Sequence, residues 1–352
     1  MRLLSRNAEA LFWLARYLVR AASLARVMEM QCSFGSQDQA NGWTWLLALH
    51  NDEDRFKERF EVSSRNIIAF YATDKTNAGS MRSSIHWARE NARALRPFIP
   101  LEMWIQLNSF YTTVEELGPE DLLPSQLPRT CALIRAGCLA QIGIAEGTLF
   151  RDEGYQFFQL GLLTERADQT SRLLDVKFAQ GSTSARPGDP SEDFVFWSTI
   201  LRTAAAYQVF NRLDSNGPTG ESVVRFLLFN PSHPRAIGFC VREITQSLHV
   251  LRHSFRLSAV NKALERCDIM MEGLQVAAED KELIDRLHQF NDWVQTELVA
   301  ITDAIASGFF ERNPPQPVAV TASATEPAAE DTPPKSQTPS QSSGGSQTQS
   351  QS

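Results

Sequence analysis

The sequence lacks the short patterns that identify most catalytic and metal-binding sites. It contains no P-loop, no Gly-x-Ser-x-Gly turn, no His-Glu-x-x-His helix and no glycine fingerprint of a dinucleotide site. Its five cysteines are an odd number without a Cys-x-x-Cys spacing, which argues against a disulfide framework and against a zinc knuckle. No residue pattern therefore discloses a reaction, and we expect neither a bound metal nor a cofactor.

The sequence also has little that favours secretion, a membrane or nucleic acid. Arg6, Glu9 and Arg16 interrupt the N-terminal apolar run, so no secretory signal is visible. No stretch reaches the ~18 uncharged apolar residues that a membrane helix needs. The formal net charge of −7 argues against a protein that coats nucleic acid. We therefore expect a cytoplasmic protein without a membrane or nucleic-acid partner.

Alternating strand patterns are absent, and helical spacing takes their place. Apolar residues recur 3, 4 and 7 positions apart, which puts them on one face of a helix. One such stripe consists of Leu4, Leu11, Leu14, Leu18, Ala21, Ala25 and Met28, and a second of Phe150, Phe157, Leu160, Ala167 and Leu174. We predict an all-α fold in which single helices cover 52–71 and 280–310.

The sequence contains two internal repeats, here called the first and second echo, whose copies occur in the same order along the chain. The stretch Leu160–Val176 matches an N-terminal stretch at an offset of 146, which aligns Arg166 with Arg20 and Arg172 with Arg26. At an offset of 153, a second echo repeats Asn77, Arg82, Arg89 and Glu90 as Asn230, Arg235, Arg242 and Glu243. We predict an internally duplicated helical bundle over 1–312, with halves of about 1–128 and 147–311.

The residues after this bundle have a different composition. Residues 313–352 contain no Leu, Ile, Phe, Trp or Tyr, and Pro, Ser, Gln and Thr dominate them. Such a segment buries too little apolar surface to offset the entropy of ordering it. We predict a disordered C-terminal tail.

The first echo differs between its copies in charge. Arg16 corresponds to Leu162, whereas Val19 and Ala22 correspond to Glu165 and Asp168. We hypothesise that the two helices lie near a pseudo-two-fold axis and that Arg16 pairs across it with Glu165 or Asp168, because buried charges need close partners. The alternative is that these are solvated faces of two unrelated amphipathic helices.

Four arginines lie at the edge of another apolar stripe, that of MRSSIHWARENARALRPFI: Arg82, Arg89, Arg93 and Arg96. They need partners from elsewhere, either carboxylates such as Glu165 and Asp168 or a bound anion. Alternatively their stems pack on the core while the guanidinium groups reach water.

Other candidate groups have simpler interpretations. His249 and His253 are four apart and could share a metal, but no third ligand is evident, which favours ordinary histidines. Cys131 and Cys138 share an apolar face, which favours core packing. Glu165 and Asp168 could do acid–base work, although the nearby Arg166 and Arg172 favour a structural ion network.

Four motifs together resemble the bacterial alpha-E domain family: LSRNAEALFWLARYLVRAASLAR, ARENARALR followed by EMW and LN, DEGYQFFQLGLLTERADQTSRLLDV, and FNPSHPRAIGFC. The resemblance covers about residues 1–310. It implies an all-helical domain that is often encoded beside ATP-grasp ligase-like and transglutaminase-like proteins, which become the suspected partners. Two glutamates and one arginine of the family pattern are replaced here, by Val19, Ala22 and Leu162.

Three functions remain open. The first is a non-catalytic or accessory subunit of a peptide-ligation or peptide-modification system that acts with those two partners. The second is a binding or catalytic module in which an Arg/Glu/Asp cluster holds a carboxylate or phosphate, since arginine suits such anions. The third is a purely structural helical repeat. The candidate binding residues are Arg16, Arg20, Arg82, Arg89, Arg93, Glu165, Arg166, Asp168, Arg172 and Arg235.

Overall fold

The computed structural model describes residues 3–34, 42–179 and 190–310. Fourteen α-helices and three 3₁₀ turns cover most of these residues, and none of them lies in a strand. The prediction of an all-α fold is confirmed. The predicted disordered tail lies outside the described residues.

The helices have the following bounds: α1 Ser5–Phe34, α2 Thr44–His50, α3 Glu53–Lys57, α4 Ser64–Ala72, α5 Met81–Ala94, α6 Leu101–Glu115, α7 Leu127–Thr148, α8 Glu153–Ala179, α9 Pro190–Thr203, α10 Tyr207–Leu213, α11 Gly220–Phe229, α12 Ile237–His253, α13 Asn261–Glu279 and α14 Leu287–Phe309. The 3₁₀ turns are Pro119–Leu122, Ser258–Val260 and Leu283–Arg286.

Two predicted helices are interrupted. The helix expected over 52–71 is divided into α3 and α4, because the Ser63 side chain accepts a hydrogen bond from the Asn66 amide and caps a new helix there. The helix expected over 280–310 begins only at Leu287, after the 3₁₀ turn Leu283–Arg286. Both are errors of boundary and leave the helical class unchanged.

The long helices α1 and α8 run parallel and in contact. The Leu3 amide donates to Glu153 Oε2 at 3.1 Å near their start, and Arg16 and Arg20 bond Glu165 farther along. Gly161 permits this close approach, since a Cβ at that position would collide with the backbone carbonyl oxygen of Phe12. These contacts fix the axial position of α1 relative to α8, and therefore which charged side chains of the two helices face each other.

The predicted apolar stripes form the core, except at their first residues. Leu11 to Met28 of the first stripe and Phe157 to Leu174 of the second are buried. Leu4 remains 51% exposed, and Phe150 is 79% exposed because it precedes the start of α8 at Glu153. Both outliers lie at or before a helix start, where one face of the chain is not yet covered.

The same packing order occurs around each long helix. Helix α1 packs on α5 and α7, which are linked by α6, and α8 packs on α12 and α14, which are linked by α13. The turns before α5 and α12 also match, since Asn77 Oδ1 accepts from the Gly79 amide and Asn230 Oδ1 from the Ser232 amide, each at 2.9 Å. These turns place Arg82 and Arg235 at comparable positions near their helices.

A search of the described helices for a long, weakly charged apolar segment finds none that could cross a membrane.

Candidate functional site

The first charged cluster centres on Glu165, whose side chain is fully buried between α1 and α8. Glu165 Oε2 accepts from Arg16 Nε at 2.7 Å and from Arg20 Nη2 at 3.0 Å, and Oε1 accepts from Arg20 Nε at 2.7 Å. Gln169 Nε2 also donates to Oε1. The predicted pairing of Arg16 with Glu165 is confirmed, and Arg20 shares the same carboxylate.

These contacts determine the charge of Glu165. Burial alone would raise its pKa, but the guanidinium groups of Arg20 and Arg16 outweigh burial and lower the pKa to about 2. Arg16 is held from its other side by the Trp13 ring, whose centroid lies 4.9 Å from the guanidinium carbon. Glu165 is therefore ionised, and four donor contacts occupy its oxygens.

Asp168 and Arg172 extend this network along α8. Arg172 Nε donates to Asp168 Oδ2 at 3.0 Å. The sequence reasoning missed His50, whose pKa is lowered to about 3 by burial and by the charges of Arg172 and Arg20. His50 is therefore neutral at pH 7 beside two cations. We call Arg16, Arg20, Glu165, Asp168 and Arg172 the paired cluster.

The arginines of α5 do not join the paired cluster. Arg89 binds Glu90 Oε1 at 2.7 Å and Asn108 Oδ1 at 2.9 Å, and Arg93 binds Glu90 Oε2 at 2.5 Å. Glu165 and Asp168, one of the alternatives considered for these arginines, do not bond Arg89 or Arg93. Glu90, on α5 itself, reaches both guanidinium groups, so no acid from another helix is required.

Arg82 has a different role from its neighbours on α5. Its Nη2 donates to the backbone carbonyl oxygens of Val114 and Leu117, at 3.1 and 2.6 Å. Val114 lies in the last turn of α6 and Leu117 two residues beyond its end, where carbonyl oxygens lack the regular helical partner. Arg82 therefore caps α6.

A second cluster consists of Arg26 on α1, Arg166 on α8 and Arg235 ahead of α12, and all three are half-buried. The Thr170 hydroxyl, one turn after Arg166, donates to the Arg235 carbonyl oxygen at 2.9 Å, which fixes Arg235 against α8. Within the described part of the chain, the three guanidinium groups form no hydrogen bond or ion pair, and Arg26 Nε is buried without a partner. We call these residues the unpaired cluster.

The charges in the unpaired cluster have no directly bonded counter-charge among the described residues. The pKa of Arg235 is lowered by burial and then by the charges of Arg26 and Arg166, and burial lowers the pKa of Arg26 and of Arg166. Arginine keeps its proton at neutral pH even in such settings. The lowered pKa values therefore reflect the burial of three cations, and at Arg235 also the repulsion from the other two.

Nearby carboxylates are engaged elsewhere. Glu29, whose charge acts weakly on Arg26, is bound by Arg135 at 3.0 and 3.3 Å. Glu146, whose charge acts weakly on Arg166, accepts from Arg151 and from the Tyr155 hydroxyl. Neither acid forms an ion pair with the unpaired cluster.

His233 lies beside the unpaired cluster and was also missed by the sequence reasoning. It is 7% exposed, and its Nε2 is buried without a hydrogen-bond partner among the described residues. Burial, followed by the charges of Arg235 and Arg166, lowers the pKa of His233 to about 4. The only sequence signal for it is its place in the Asn230–Arg235 turn.

The remaining candidates do not form a comparable site. His249 and His253 are exposed, with stacked rings 5.8 Å apart. Cys131 and Cys138 are buried in the core. Asp175, His288 and Asp292 bring three possible metal-ligand atoms within 4.8 Å of one another, but two of the three are exposed, and Asp175 accepts hydrogen bonds from Asn291 and Gln295.

One family model matches the chain, over residues 3–310. It is that of Alpha-E, described as a predicted alpha-helical domain with a conserved ER motif. No curated protein and no solved structure matches the chain. The matched range contains Glu-Arg pairs at 58–59, 165–166 and 265–266, and among these only Glu165 is buried.

Proposed function

Since the chain belongs to the alpha-E family, we propose that it is a non-catalytic anion-binding module that holds a carboxylate or phosphate at the unpaired cluster. One observation carries this proposal: three half-buried arginines, on α1, on α8 and in the turn that Thr170 ties to α8, have guanidinium groups that form no ion pair among the described residues. Charges taken out of water are costly unless they are paired. A bound anion supplies the missing partner, and arginine is suited to carboxylates and phosphates.

The paired cluster supports a non-catalytic role. A general acid or base needs a free oxygen and a pKa near the working pH. Glu165 has neither, because its oxygens are occupied by Arg16, Arg20 and Gln169 and its pKa is lowered to about 2. Asp168 is held by Arg172. We propose that Glu165 holds α1 against α8 and that Asp168 fixes Arg172 on α8.

Under this proposal, the two residues of the family's ER motif have different roles in this chain. Glu165-Arg166 is the Glu-Arg pair with the buried acid, and we propose that it is the motif. Glu165 binds Arg16 and Arg20 of α1. Arg166 contributes to the unpaired cluster, where its charge acts on Arg235. One residue of the motif stabilises the fold and its neighbour binds the ligand.

Isothermal titration calorimetry tests the anion proposal. Phosphate and acetate are titrated into the wild type and into the variants Arg166→Gln and Arg235→Gln. The matched control is Arg252→Gln, which removes an exposed arginine of α12. We expect saturable binding to the wild type and the control, and at least a tenfold loss in both cluster variants. No saturable binding to the wild type would favour the purely structural repeat, in which the charges only fix helix register, and equal affinity in all four folded proteins would exclude the unpaired cluster as the site.

A second proposal concerns partners and rests on the resemblance to the family. We propose that the chain is an accessory subunit of a peptide-ligation or peptide-modification system with ATP-grasp-like and transglutaminase-like proteins. The engagement of Glu165 and Asp168 in ion pairs favours an accessory over a catalytic role. Sedimentation of the purified protein with each purified partner tests it, and separate sedimentation at all concentrations would contradict it.

We also propose that the bundle arose by internal duplication. Support comes from the equivalent packing of α5, α6 and α7 on α1 and of α12, α13 and α14 on α8. The matching asparagine turns at Asn77 and Asn230 add to this. Under the duplication, Arg166 and Arg26 are the counterparts of Arg20 and Arg172, and the acids of the paired cluster correspond to Val19 and Ala22.

A further inference from the structure

The unpaired cluster has more positive charge than a single carboxylate can balance. Arg26, Arg166 and Arg235 contribute three cations, and α12 begins two residues after Arg235, so the dipole of this 17-residue helix adds positive potential. A carboxylate contributes one negative charge. A phosphate monoester carries about −1.5 to −2 at pH 7 and offers three acceptor oxygens.

The positions of the three guanidinium groups also favour a phosphoryl group over a carboxylate. The three guanidinium groups come from three chain segments, α1, α8 and the turn before α12, and Arg235 lies within electrostatic reach of the other two. A carboxylate offers two acceptor oxygens in one plane, so three guanidinium groups would have to share them. A tetrahedral phosphoryl group directs three oxygens outward and can accept from donors on different sides.

His233 adds a group that distinguishes phosphate from other anions. Its ring interacts with the backbone of Ala204, which leaves the buried Nε2 as the atom without a partner. A neutral Nε2 accepts a hydrogen bond. At neutral pH the hydrogen phosphate dianion keeps one proton to donate, and so does the singly ionised fraction of a monoester, whose second pKa is about 6, whereas a carboxylate with a pKa near 4 has none.

We infer that the anion held by Arg26, Arg166 and Arg235 is a phosphoryl group, one of whose oxygens faces His233 Nε2. This inference rests on the proposed anion-binding function and narrows its ligand class. The shared chemistry is that of a free phosphate ion or the terminal phosphate of a monoester.

Calorimetry with four probes tests this inference: inorganic phosphate, phenyl phosphate, sulfate and acetate. We expect inorganic phosphate to bind at least tenfold more tightly than acetate, and more tightly than sulfate, which is tetrahedral but carries no proton at neutral pH. Phenyl phosphate binding alongside inorganic phosphate indicates a monoester site, whereas inorganic phosphate alone indicates a site for the free ion.

The variant His233→Gln, checked for an unchanged melting temperature, should reduce the preference for phosphate over sulfate. His249→Gln, on the exposed face of α12, is its control and should leave that preference unchanged. If His233→Gln unfolds the protein, the probe series on the wild type decides. Acetate or sulfate binding as tightly as phosphate overturns the phosphoryl inference while the anion-binding function stands. No binding of any probe overturns both.

Discussion

The paired and unpaired clusters use arginines at corresponding sequence positions but differ in their acids. Arg20 and Arg172 have Glu165 and Asp168 beside them, whereas Arg166 and Arg26, at the same offset of 146, have the apolar Val19 and Ala22 in the matching places. Val19 and Ala22 are buried. The comparison shows that arginines at corresponding positions of one helix pair can be paired with acids on one side and lack bonded acids on the other.

The largest expected effect comes from breaking the paired cluster. Glu165→Gln leaves Arg16 and Arg20 without a buried anion, and loss of one member of a buried ion pair costs roughly 3–5 kcal/mol. We expect urea denaturation to show a loss of this size in the free energy of unfolding. The matched control is Arg166→Gln at the next residue, which removes an unpaired cation and should cost less than about 1 kcal/mol. Equal losses in the two variants would contradict the division into paired and unpaired clusters.

The pH dependence of stability should show the same contrast. The folded pKa of Glu165, about 2, lies below its ordinary value of 4.5, so its contribution is fully present above pH 4.5 and is lost as the pH falls toward 2. We expect the gap in unfolding free energy between the wild type and Glu165→Gln, roughly 3 kcal/mol at pH 7, to shrink over that range. The gap between the wild type and Arg166→Gln should stay constant there, and a constant gap for both variants would contradict the lowered pKa.

The sequence predicted the paired cluster better than the unpaired one, for a physical reason. Arg16 and Glu165 lie on faces opposite apolar stripes, and a buried acid opposite a basic residue demands pairing, so their contact could be predicted from periodicity and charge. The role of Arg82 depended on where α6 ends, and the partner of Arg89 depended on the rotamer of Glu90. Neither is encoded in helical spacing.

The unpaired cluster was harder still to predict. It is defined by guanidinium groups that no acid of the described residues bonds, and it joins residues from α1, α8 and the turn before α12. Arg166 and Arg235 were among the candidate residues, but nothing in the sequence separated them from the arginines of α5. The buried Nε2 of His233 became visible only with the packing of the turn around it.

The second echo offers an independent comparison of a satisfied and an unsatisfied arginine. Arg82 donates to the carbonyl oxygens of Val114 and Leu117, so Arg82→Gln should cost about 1–3 kcal/mol by removing the donor to Leu117 and one of the two donors to Val114. Arg235, at the offset of 153, bonds no described group through its guanidinium, so Arg235→Gln should change stability by less than about 1 kcal/mol. Thermal denaturation in phosphate-free buffer measures both, and a larger loss for Arg235→Gln would contradict the comparison.

The smallest change in stability is expected for Val19→Glu, which places a carboxylate at the position that corresponds to Glu165. If the bundle is duplicated, a carboxylate at position 19 should reach Arg166 as Glu165 reaches Arg20, and Val19→Glu should change stability by within about 1 kcal/mol, because a well-paired buried ion pair roughly breaks even. The matched control Val19→Gln introduces a polar group of the same size without the charge and should cost about 1–3 kcal/mol.

Phosphate binding provides the second measurement on these two variants. The new carboxylate would occupy Arg166, so Val19→Glu should weaken phosphate binding at least tenfold, whereas Val19→Gln should retain it. If Val19→Glu is less stable than Val19→Gln, the carboxylate is buried without a cation. Arg166 then does not face position 19, and the equivalence of the two halves at this interface fails. If Val19→Glu is stable and still binds phosphate with full affinity, the anion is held by residues other than Arg166.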